Sequence, residues 1–245
     1  MTLKEFFTAH PKVALGFSGG VDSSYLLYAA KEAGADVRPY FAKTQFQPEF
    51  ELEDAQRLAA QLEIPLTVLH YDILPKAGFN PPDRCYYCKT ALFGALVARA
   101  KADGYDTIID GTNASDDAGD RPGMKALGEM KVLSPLRLCG LTKQEIRERS
   151  REAGLFTWDK PSYACLATRF PSGVTITAQG LQKVEQAEGA LFELGFTDFR
   201  VRVYHDAARI QLTVGQMERG LQLRQEILEK IKPLFPCVFL DLEGR

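Results

Sequence analysis

The first part of the chain alternates short, nearly continuous apolar runs with longer segments whose apolar residues recur at helical spacing. In segment 51–62 such residues form one stripe: Leu52, Ala55, Leu58, Ala59 and Leu62. Short apolar runs between amphipathic helices are typical of buried parallel strands in βαβ units. The pattern predicts strands at 12–17, 36–42, 65–70 and 107–110, and helices at 22–33, 51–62, 90–102 and 141–153.

The last predicted helix of this part has clear signals at both ends. Thr142 and Glu145 have the spacing of a capping box, and Gly154 follows the C-terminal end. An irregular stretch, 157–173, comes next and contains Pro161, Pro171 and Gly173. We interpret it as a functional loop or a linker.

The remaining residues follow a different order of elements. The pattern predicts a helix at 177–194, strands at 199–204 and 209–214 joined by a turn at 205–208, a helix at 216–231 and a strand at 237–240. We therefore predict an α/β domain over residues 1–170, with a parallel twisted sheet covered by helices on both faces. A small α+β domain is predicted over residues 171–245.

Composition narrows the functional classes. The chain has 245 residues, 45% of them hydrophobic, and Lys+Arg (30) nearly balance Asp+Glu (32) for a net charge of −2. That balance argues against a general nucleic-acid coat protein, which needs a strongly basic surface. We find no run of 18 apolar residues and no apolar signal-peptide segment, so a cytoplasmic protein without a transmembrane helix is expected.

Ser18-Gly19-Gly20-Val21-Asp22-Ser23-Ser24 lies between the first predicted strand and the first predicted helix. Glycines let the backbone approach a polyphosphate, and the N–H groups at a helix N-terminus bind anions. Ser18, Ser23 and Ser24 add hydroxyl donors, and Asp22 is a candidate Mg²⁺ ligand. The alternative is a tight Ser/Gly turn with Asp22 as a helix cap.

This segment closely resembles the pyrophosphate loop (PP-loop) of the ATP pyrophosphatase superfamily, which has an adenine nucleotide alpha hydrolase-like fold. The resemblance implies cleavage of ATP to AMP and pyrophosphate as a substrate oxygen is adenylated. It also implies adenine binding by the backbone around Ala42 and Lys43, after the second strand. Gly111, Thr112 and Asn113 follow the fourth strand, and open α/β sheets bind ligands at such strand ends. A polar turn is the alternative for each segment.

The five cysteines follow no export signal, so we expect metal-binding or reactive thiols rather than disulfides. Cys85 and Cys88 form a C-x₂-C pair, and Cys165 lies in the irregular stretch. Three thiolates suffice for a [4Fe-4S] cluster with one iron open to a non-protein ligand such as sulfide. The alternatives are a redox pair beside an unrelated buried Cys165, or a structural zinc with His70 as fourth ligand. Cys139 and Cys237 are interpreted as packing residues.

The whole chain resembles the LarE family of ATP-dependent sacrificial sulfur transferases. The similarity includes the phosphate loop, the segment from Arg84 to Lys89, and Cys165 with the residues up to Phe170. The resemblance implies adenylation of the carboxylates of pyridinium-3,5-biscarboxylic acid mononucleotide, followed by replacement of the activated oxygens with sulfur. The product leads to the nickel-pincer nucleotide cofactor of lactate racemase.

Two subgroups of that family differ in their sulfur source. One sacrifices the sulfur of a single cysteine, which matches Cys165 here and leaves dehydroalanine. The other has three cysteines around a [4Fe-4S] cluster and delivers a bound sulfide. Because Cys85 and Cys88 accompany Cys165, the chain resembles the second subgroup. The match leaves open which sulfur moves. The family also forms oligomers, so we expect a homo-oligomer.

Several cations are candidate ligands of anionic groups. Lys89, directly after the cysteine pair, is a candidate catalytic contact to the nucleotide phosphate, and Arg169 is a candidate phosphate or substrate contact. Arg200 and Arg202 alternate with valines, so both share one strand face and are candidates for binding the substrate's phosphate and carboxylate. The alternatives are solvated cations and the wet face of an antiparallel sheet.

Three other functions remain as alternatives. A PP-loop tRNA thiolase would need a basic stripe or an RNA-binding appendage, against which the near-neutral charge argues. An amide-forming ligase of the GMP or NAD synthetase type has no use for three cysteines. A non-enzymatic iron–sulfur carrier has no need of the phosphate loop.

Overall fold

The computed structural model describes residues 1–116 and 122–245. The chain forms two compact units, one of Met1–Ala77 and Asp83–Ser162, the other of Gly78–Pro82 and Tyr163–Arg245. The boundary expected at residue 170 thus falls before Tyr163, and the segment around Cys165 belongs to the second unit. The functional roles of the two domains stay predictions.

The first unit alternates strands and helices along the chain, as the apolar pattern predicts. Its helices are α1 (Leu3–Ala9), α2 (Val21–Glu32), α3 (Glu49–Gln61), α4 (Leu74–Ala77), α5 (Arg84–Ala102), α6 (Pro122–Glu129), α7 (Pro135–Leu138) and α8 (Lys143–Glu152). Its strands are β1 (Lys12–Gly16), β2 (Asp36–Lys43), β3 (Thr67–His70) and β4 (Thr107–Ile109).

These strands form a parallel sheet in the order β3–β2–β1–β4. Leu133 adds a parallel bridge to Ile109 at the β4 edge. Alternate residues of β1 enter different cores: Val13 and Leu15 pack with α2 and α3, whereas Ala14 packs with α5 residues such as Leu96. Helices therefore cover both faces of the sheet, and the predicted α/β fold is confirmed.

Helix α5 begins six residues before the predicted start at residue 90, so the prediction was wrong there. Cys85 and Cys88 consequently lie in the first turns of a helix. Cys85 and Tyr87 are exposed and Cys88 is half-buried. This turn buries no apolar stripe, so the helical period was undetectable in the sequence. Helices α1, α4, α6 and α7 also went unpredicted, because each is short.

The second unit is a small α+β fold. It contains α9 (Ala178–Glu193), α10 (Met217–Gln222), α11 (Arg224–Ile231), β5 (Arg200–Tyr204), β6 (Ala207–Gln211) and β7 (Val238–Leu240). Strand β6 lies between β5, which is antiparallel to it, and β7, which is parallel. Helix α9 packs on β5 and α11, and its Leu181, Val184 and Leu191 are buried.

Two predicted boundaries in this unit were wrong. The β5–β6 turn is only His205-Asp206, with His205 at φ 54°, because buried Ala207 and Ala208 pair with Tyr204 and Val203. The helix expected at 216–231 is divided at Leu223, whose backbone (φ −93°, ψ 19°) leaves the helical region. Strand β6 therefore covers Ala207–Gln211 rather than the predicted 209–214.

Candidate active site

The loop between β1 and α2 has the geometry of an anion site. Gly19 has φ +69°, a conformation that strains residues with a side chain, and a Cβ there would crowd the backbone nitrogen of Ala55 at 3.2 Å. The hydroxyls of Ser18 and Ser23 are 3.1 Å apart, and Ser23 also donates to the Gly20 carbonyl at 3.2 Å. These bonds fix the loop while the first N–H groups of α2 remain available for a ligand.

Asp22 lies in the first turn of α2 and has two oxygens in unlike surroundings. Oδ2 accepts a hydrogen bond from Lys143 Nζ at 2.6 Å. Oδ1 is buried and has no hydrogen-bond partner among the described residues. Burial raises the pKa of Asp22, and the hydrogen bond from Lys143 opposes that rise. An orphaned buried carboxylate oxygen beside a phosphate loop fits a hard cation such as Mg²⁺.

A cavity in the first unit unites residues that are far apart in sequence. It brings together six predicted residues: Ser18, Asp22, Ser23, Lys89, Gly111 and Thr112. Tyr40, Asp110 and Asp116 line it as well, and Phe17, Leu92, Phe93 and Leu96 form its apolar side. A polar end next to an apolar wall suits a nucleotide, whose phosphates and base need opposite environments.

The loop after β4 is held by a buried carboxylate. Asp110 accepts hydrogen bonds from Thr112 Oγ1 and Ser134 Oγ, both at 2.6 Å. Asn113 is buried; its backbone N–H donates to Asp116 Oδ2 at 2.9 Å, and its Oδ1 accepts from the Ser115 backbone at 2.8 Å. Asn113 therefore shapes this loop, while Gly111 and Thr112 reach the cavity.

The other predicted nucleotide contacts are not among the cavity-lining residues. Ala42 is half-buried in β2, and Lys43 is paired with Glu49 (2.9 Å) and donates to the Gln47 carbonyl (2.8 Å). Tyr40 of the same strand lines the cavity in their place. Ser24 is fully buried, with no hydrogen-bond partner for its hydroxyl in the described part of the chain. Gly19 and Gly20 contribute through the backbone of the loop.

A second cavity of the first unit shares Lys89, Thr112 and Asp116 with the first. Cys85 opens into it, together with Pro122, Gly123 and Met124 at the start of α6. One thiol of the cysteine pair thus lies in a cavity that adjoins the candidate nucleotide site. Cys88 lies one helical turn further along α5, on the same helix face.

In the second unit, Cys165 precedes a 3₁₀ turn (Leu166–Arg169). Arg169 is not a solvated cation: it is 1% exposed and its Nε donates to Glu188 Oε1 at 2.6 Å. Arg169 also donates to the Ala164 carbonyl at 3.1 Å, and Tyr163 donates to Glu188. This buried network fixes the backbone on both sides of Cys165.

Arg202 and Arg169 line a cavity of the second unit with Arg209, Gln211 and Tyr204. Arg202 donates to Gln211 Oε1 at 2.5 Å and to the Thr168 carbonyl at 2.7 Å. Burial, followed by the positive charge of Arg169, lowers the pKa of Arg202. An anion bound there would offset that cost. Arg200 is instead buried beneath Tyr163, with its guanidinium 5.2 Å from the ring centroid.

The five cysteines, all within the described ranges, form no disulfides. Cys85 and Cys88 belong to the first unit and Cys165 to the second. Within residues 1–116 and 122–245, no group of three or more His, Cys, Asp or Glu is arranged to hold a metal ion. Cys139 packs against the first core, whereas Cys237 is exposed, so the packing role predicted for Cys237 was wrong.

Sequence reasoning missed two lysines beside the phosphate loop. Lys143 reaches Asp22, and Lys160 donates to the Gly19 carbonyl at 3.4 Å while pairing with Asp54 at 2.6 Å. No local pattern marks either contact, since each joins residues more than 100 positions apart. The capping box before Lys143 located its helix but not the partner of its side chain.

Comparison with known proteins identifies the family. Residues 11–74 match the family described as tRNA methyl transferase HUP domain. An uncharacterized protein of Synechocystis sp. is 36% identical over 248 residues, 99% of this chain and 92% of that protein. The pyridinium-3,5-bisthiocarboxylic acid mononucleotide synthase of Lactiplantibacillus plantarum is 32% identical over 238 residues, 95% of this chain and 86% of the synthase. The chain belongs to the LarE family of ATP-dependent sulfur transferases.

A third relative shares only part of this LarE-family chain. The tRNA-specific 2-thiouridylase MnmA of Clostridium perfringens is 30% identical over 189 residues, 61% of this chain and 53% of the thiouridylase. The predicted family and enzyme class are confirmed, and membership in a PP-loop family implies binding of ATP and Mg²⁺. No helix in the described ranges has the length and apolar character needed to cross a membrane.

Proposed function

We propose that this enzyme converts the carboxylates of pyridinium-3,5-biscarboxylic acid mononucleotide to thiocarboxylates, with release of AMP and pyrophosphate. The product would serve nickel-pincer nucleotide biosynthesis and the maturation of lactate racemase. The observation that carries the proposal is the 32% identity to the synthase along nearly the whole chain. The phosphate-loop geometry supplies the adenylating half of the reaction.

In the first step, a substrate carboxylate attacks the α-phosphorus of ATP and pyrophosphate leaves. The loop N–H groups and the Ser18 and Ser23 hydroxyls bind the departing phosphates, and Lys89 lies on the same cavity. Asp22 would hold Mg²⁺, which neutralises charge on the phosphates when bound. These residues act by position and charge, because phosphoryl chemistry of this kind needs little covalent help.

In the second step, a sulfur nucleophile replaces AMP on the acyl-adenylate. With hydrosulfide as the nucleophile, the thiocarboxylate forms, the acyl–oxygen bond to AMP breaks and one proton is released. Cys85, Cys88 and Cys165 are the proposed ligands of a [4Fe-4S] cluster. Thiolates are the ligands such a cluster needs, and an iron without a protein ligand would supply a bound sulfide. Sacrifice of the Cys165 sulfur is the competing route.

The second unit is the proposed binding region for the substrate's anionic groups. Arg202 and Arg209 share its cavity, so they are suited to a phosphate or carboxylate. Arg169 also lines the cavity, but the bond to Glu188 occupies its guanidinium, which suits holding the Cys165 segment. Arg200 would support this group from the core.

We further propose that the small domain mediates homo-oligomer formation. The proposed enzyme is cytoplasmic, takes its sulfur from sulfide or another sulfur donor, and binds no nucleic acid.

The deciding experiment is anaerobic incubation of purified enzyme with ATP, Mg²⁺, sulfide and the pyridinium biscarboxylate mononucleotide. Mass spectrometry should detect the thiocarboxylated mononucleotide together with AMP, and its absence would overturn the proposed reaction. The intact-protein mass decides the sulfur source. Unchanged mass with repeated turnover supports the cluster. A loss of about 34 Da, the difference between cysteine and dehydroalanine, in an iron-free protein would show sacrifice of Cys165.

Cysteine variants sharpen that test. Replacing Cys85, Cys88 or Cys165 with Ser should each remove the brown absorbance and stop turnover. Cys139→Ser and Cys237→Ser are the matched controls and should retain both. If only Cys165→Ser is inactive, the cluster assignment fails.

Sulfur transfer to tRNA is a second candidate, favoured by the partial match to the thiouridylase. It predicts 2-thiouridine formation when unmodified tRNA replaces the mononucleotide in the same assay. The near-neutral net charge of −2 argues against it.

A further inference from the structure

The two oxygens of Asp22 differ in a way that the phosphate loop alone does not explain. Oδ2 is bound by Lys143 Nζ at 2.6 Å, a charge-assisted hydrogen bond. Oδ1 is buried without a hydrogen-bond partner in the described residues. A carboxylate rotates readily about its last torsion, so a strong bond to one oxygen determines where the other lies.

Lys143 is itself held firmly. It is the first residue of α8, and the preceding Thr142 forms a complete capping box with Glu145. Its backbone N–H donates to Ser115 Oγ at 2.9 Å, which ties α8 to the loop after β4. Buried Leu141 and Ile146 anchor the helix start on either side. The ammonium group therefore extends from a helix start that is well anchored.

Other charges near Asp22 are less suited to this task. Arg147 of α8 donates to the carbonyls of Trp158 (2.6 Å) and Lys160 (2.8 Å), and Lys160 pairs with Asp54. Asp116 is also close enough to act on Asp22, but it repels the carboxylate. Within the described ranges, Lys143 is the cation that hydrogen-bonds to Asp22.

We propose that Lys143 is a positioning residue for magnesium-loaded ATP: its ammonium holds Oδ2 of Asp22 so that Oδ1 is presented to the metal. The inference rests on one part of the proposed function, the binding of ATP and Mg²⁺ at the phosphate loop. Groups that orient a metal ligand typically affect metal affinity about 10- to 100-fold when removed. Lys143 then acts on nucleotide binding through Asp22 rather than by touching the phosphates.

The test is titration of the full-length enzyme with the fluorescent analogue mant-ATP, in EDTA and at a series of Mg²⁺ concentrations. Mg²⁺ should increase the affinity for mant-ATP. The Mg²⁺ concentration that gives half of this increase should be about 10- to 100-fold higher in Lys143→Met than in the parent protein. The Kd in EDTA should change less than about twofold. Lys101→Met, an exposed lysine of α5, is the matched control and should match the parent protein in both measurements.

Several outcomes overturn the inference. Equal weakening of mant-ATP binding with and without Mg²⁺ would mean that Lys143 contacts the phosphates directly. An unchanged Mg²⁺ dependence would remove Lys143 from the site. If Lys143→Met does not fold, Ser115→Ala, which loosens the start of α8, should raise the half-saturating Mg²⁺ concentration in the same direction, and no change would reject the proposal. If the parent protein binds no mant-ATP, the proposed function fails first and this inference fails with it.

Discussion

Gly111 and Ser23 approach so closely that a Cβ on Gly111 would lie 2.9 Å from the Ser23 backbone nitrogen. Gly111 belongs to the loop after β4, and Ser23 to the first turn of α2. The contact brings the loop after β4 against the start of α2, at the carboxyl ends of the neighbouring strands β1 and β4. Gly111 has no positive φ, so a glycine is required here because the Ser23 backbone lies too close for a side chain.

Gly111→Ala should force the loop after β4 away from the start of α2. The added methyl group meets backbone rather than a flexible side chain, so we expect a loss of about 1–3 kcal/mol in unfolding free energy and at least a tenfold weaker mant-ATP affinity. Denaturant unfolding and nucleotide titration measure the two effects. Gly94→Ala in α5 is the control: nothing lies within 4 Å of its added Cβ, so stability should stay or rise. Unaltered nucleotide affinity in Gly111→Ala would contradict the assignment of this loop.

The sequence predicted those features that depend on residues close together in the chain. The Thr142–Glu145 capping box was predicted from its spacing and is present. The contact between Lys143 and Asp22 depends on how α8 packs beside α2, and no local signal encodes that. Arg169 is a similar case, because its burial depends on Glu188 of α9. The helix carrying Cys85 was missed because a half-exposed turn shows no apolar period.

Asp22→Asn should nearly abolish adenylation and leave the fold intact. The amide keeps the shape of the carboxylate but loses the charge that a magnesium ligand needs, so pyrophosphate release should fall at least about 100-fold. The amide oxygen of asparagine can still accept the hydrogen bond from Lys143, so the melting temperature should change little. Pyrophosphate release at saturating ATP is the assay, and Glu152→Gln, an exposed site on α8, is the control. Full activity in Asp22→Asn would refute the metal-ligand role.

Arg169→Met should destabilise the protein strongly. It leaves the Glu188 carboxylate buried without its counter-ion, a change that typically costs about 3–5 kcal/mol. Lys230→Met breaks an exposed pair with Glu193 and should cost less than about 1 kcal/mol. Chemical denaturation of both variants gives the comparison, and similar small losses in the two would show that the buried network is not needed for folding.

Arg202→Ala should weaken binding of the mononucleotide substrate and spare ATP. Losing a charged hydrogen-bond donor costs about 1.5–3 kcal/mol, so the KM for the mononucleotide should rise about 10- to 100-fold. The KM for ATP should stay within about twofold, since the phosphate loop is in the other unit. Arg224→Ala, at an exposed position of α11, is the control. Equal increases in both KM values would argue for a folding defect instead.

Gly123→Ala should slow adenylation by displacing the Lys89 side chain, without lowering protein stability. A Cβ at Gly123 would lie 3.0 Å from Lys89 Cδ and 3.1 Å from Cε, so the side chain of Lys89, which lines both cavities, must shift. Alanine also favours helix α6 by up to about 1 kcal/mol, so the melting temperature should hold or rise while adenylation slows. Gly128→Ala on the same helix meets nothing within 4 Å and should leave the rate unchanged. Because the effect passes through Lys89, adding Gly123→Ala to Lys89→Met should cause no further loss, and additive losses in this double-mutant cycle would show that Gly123 acts by another route.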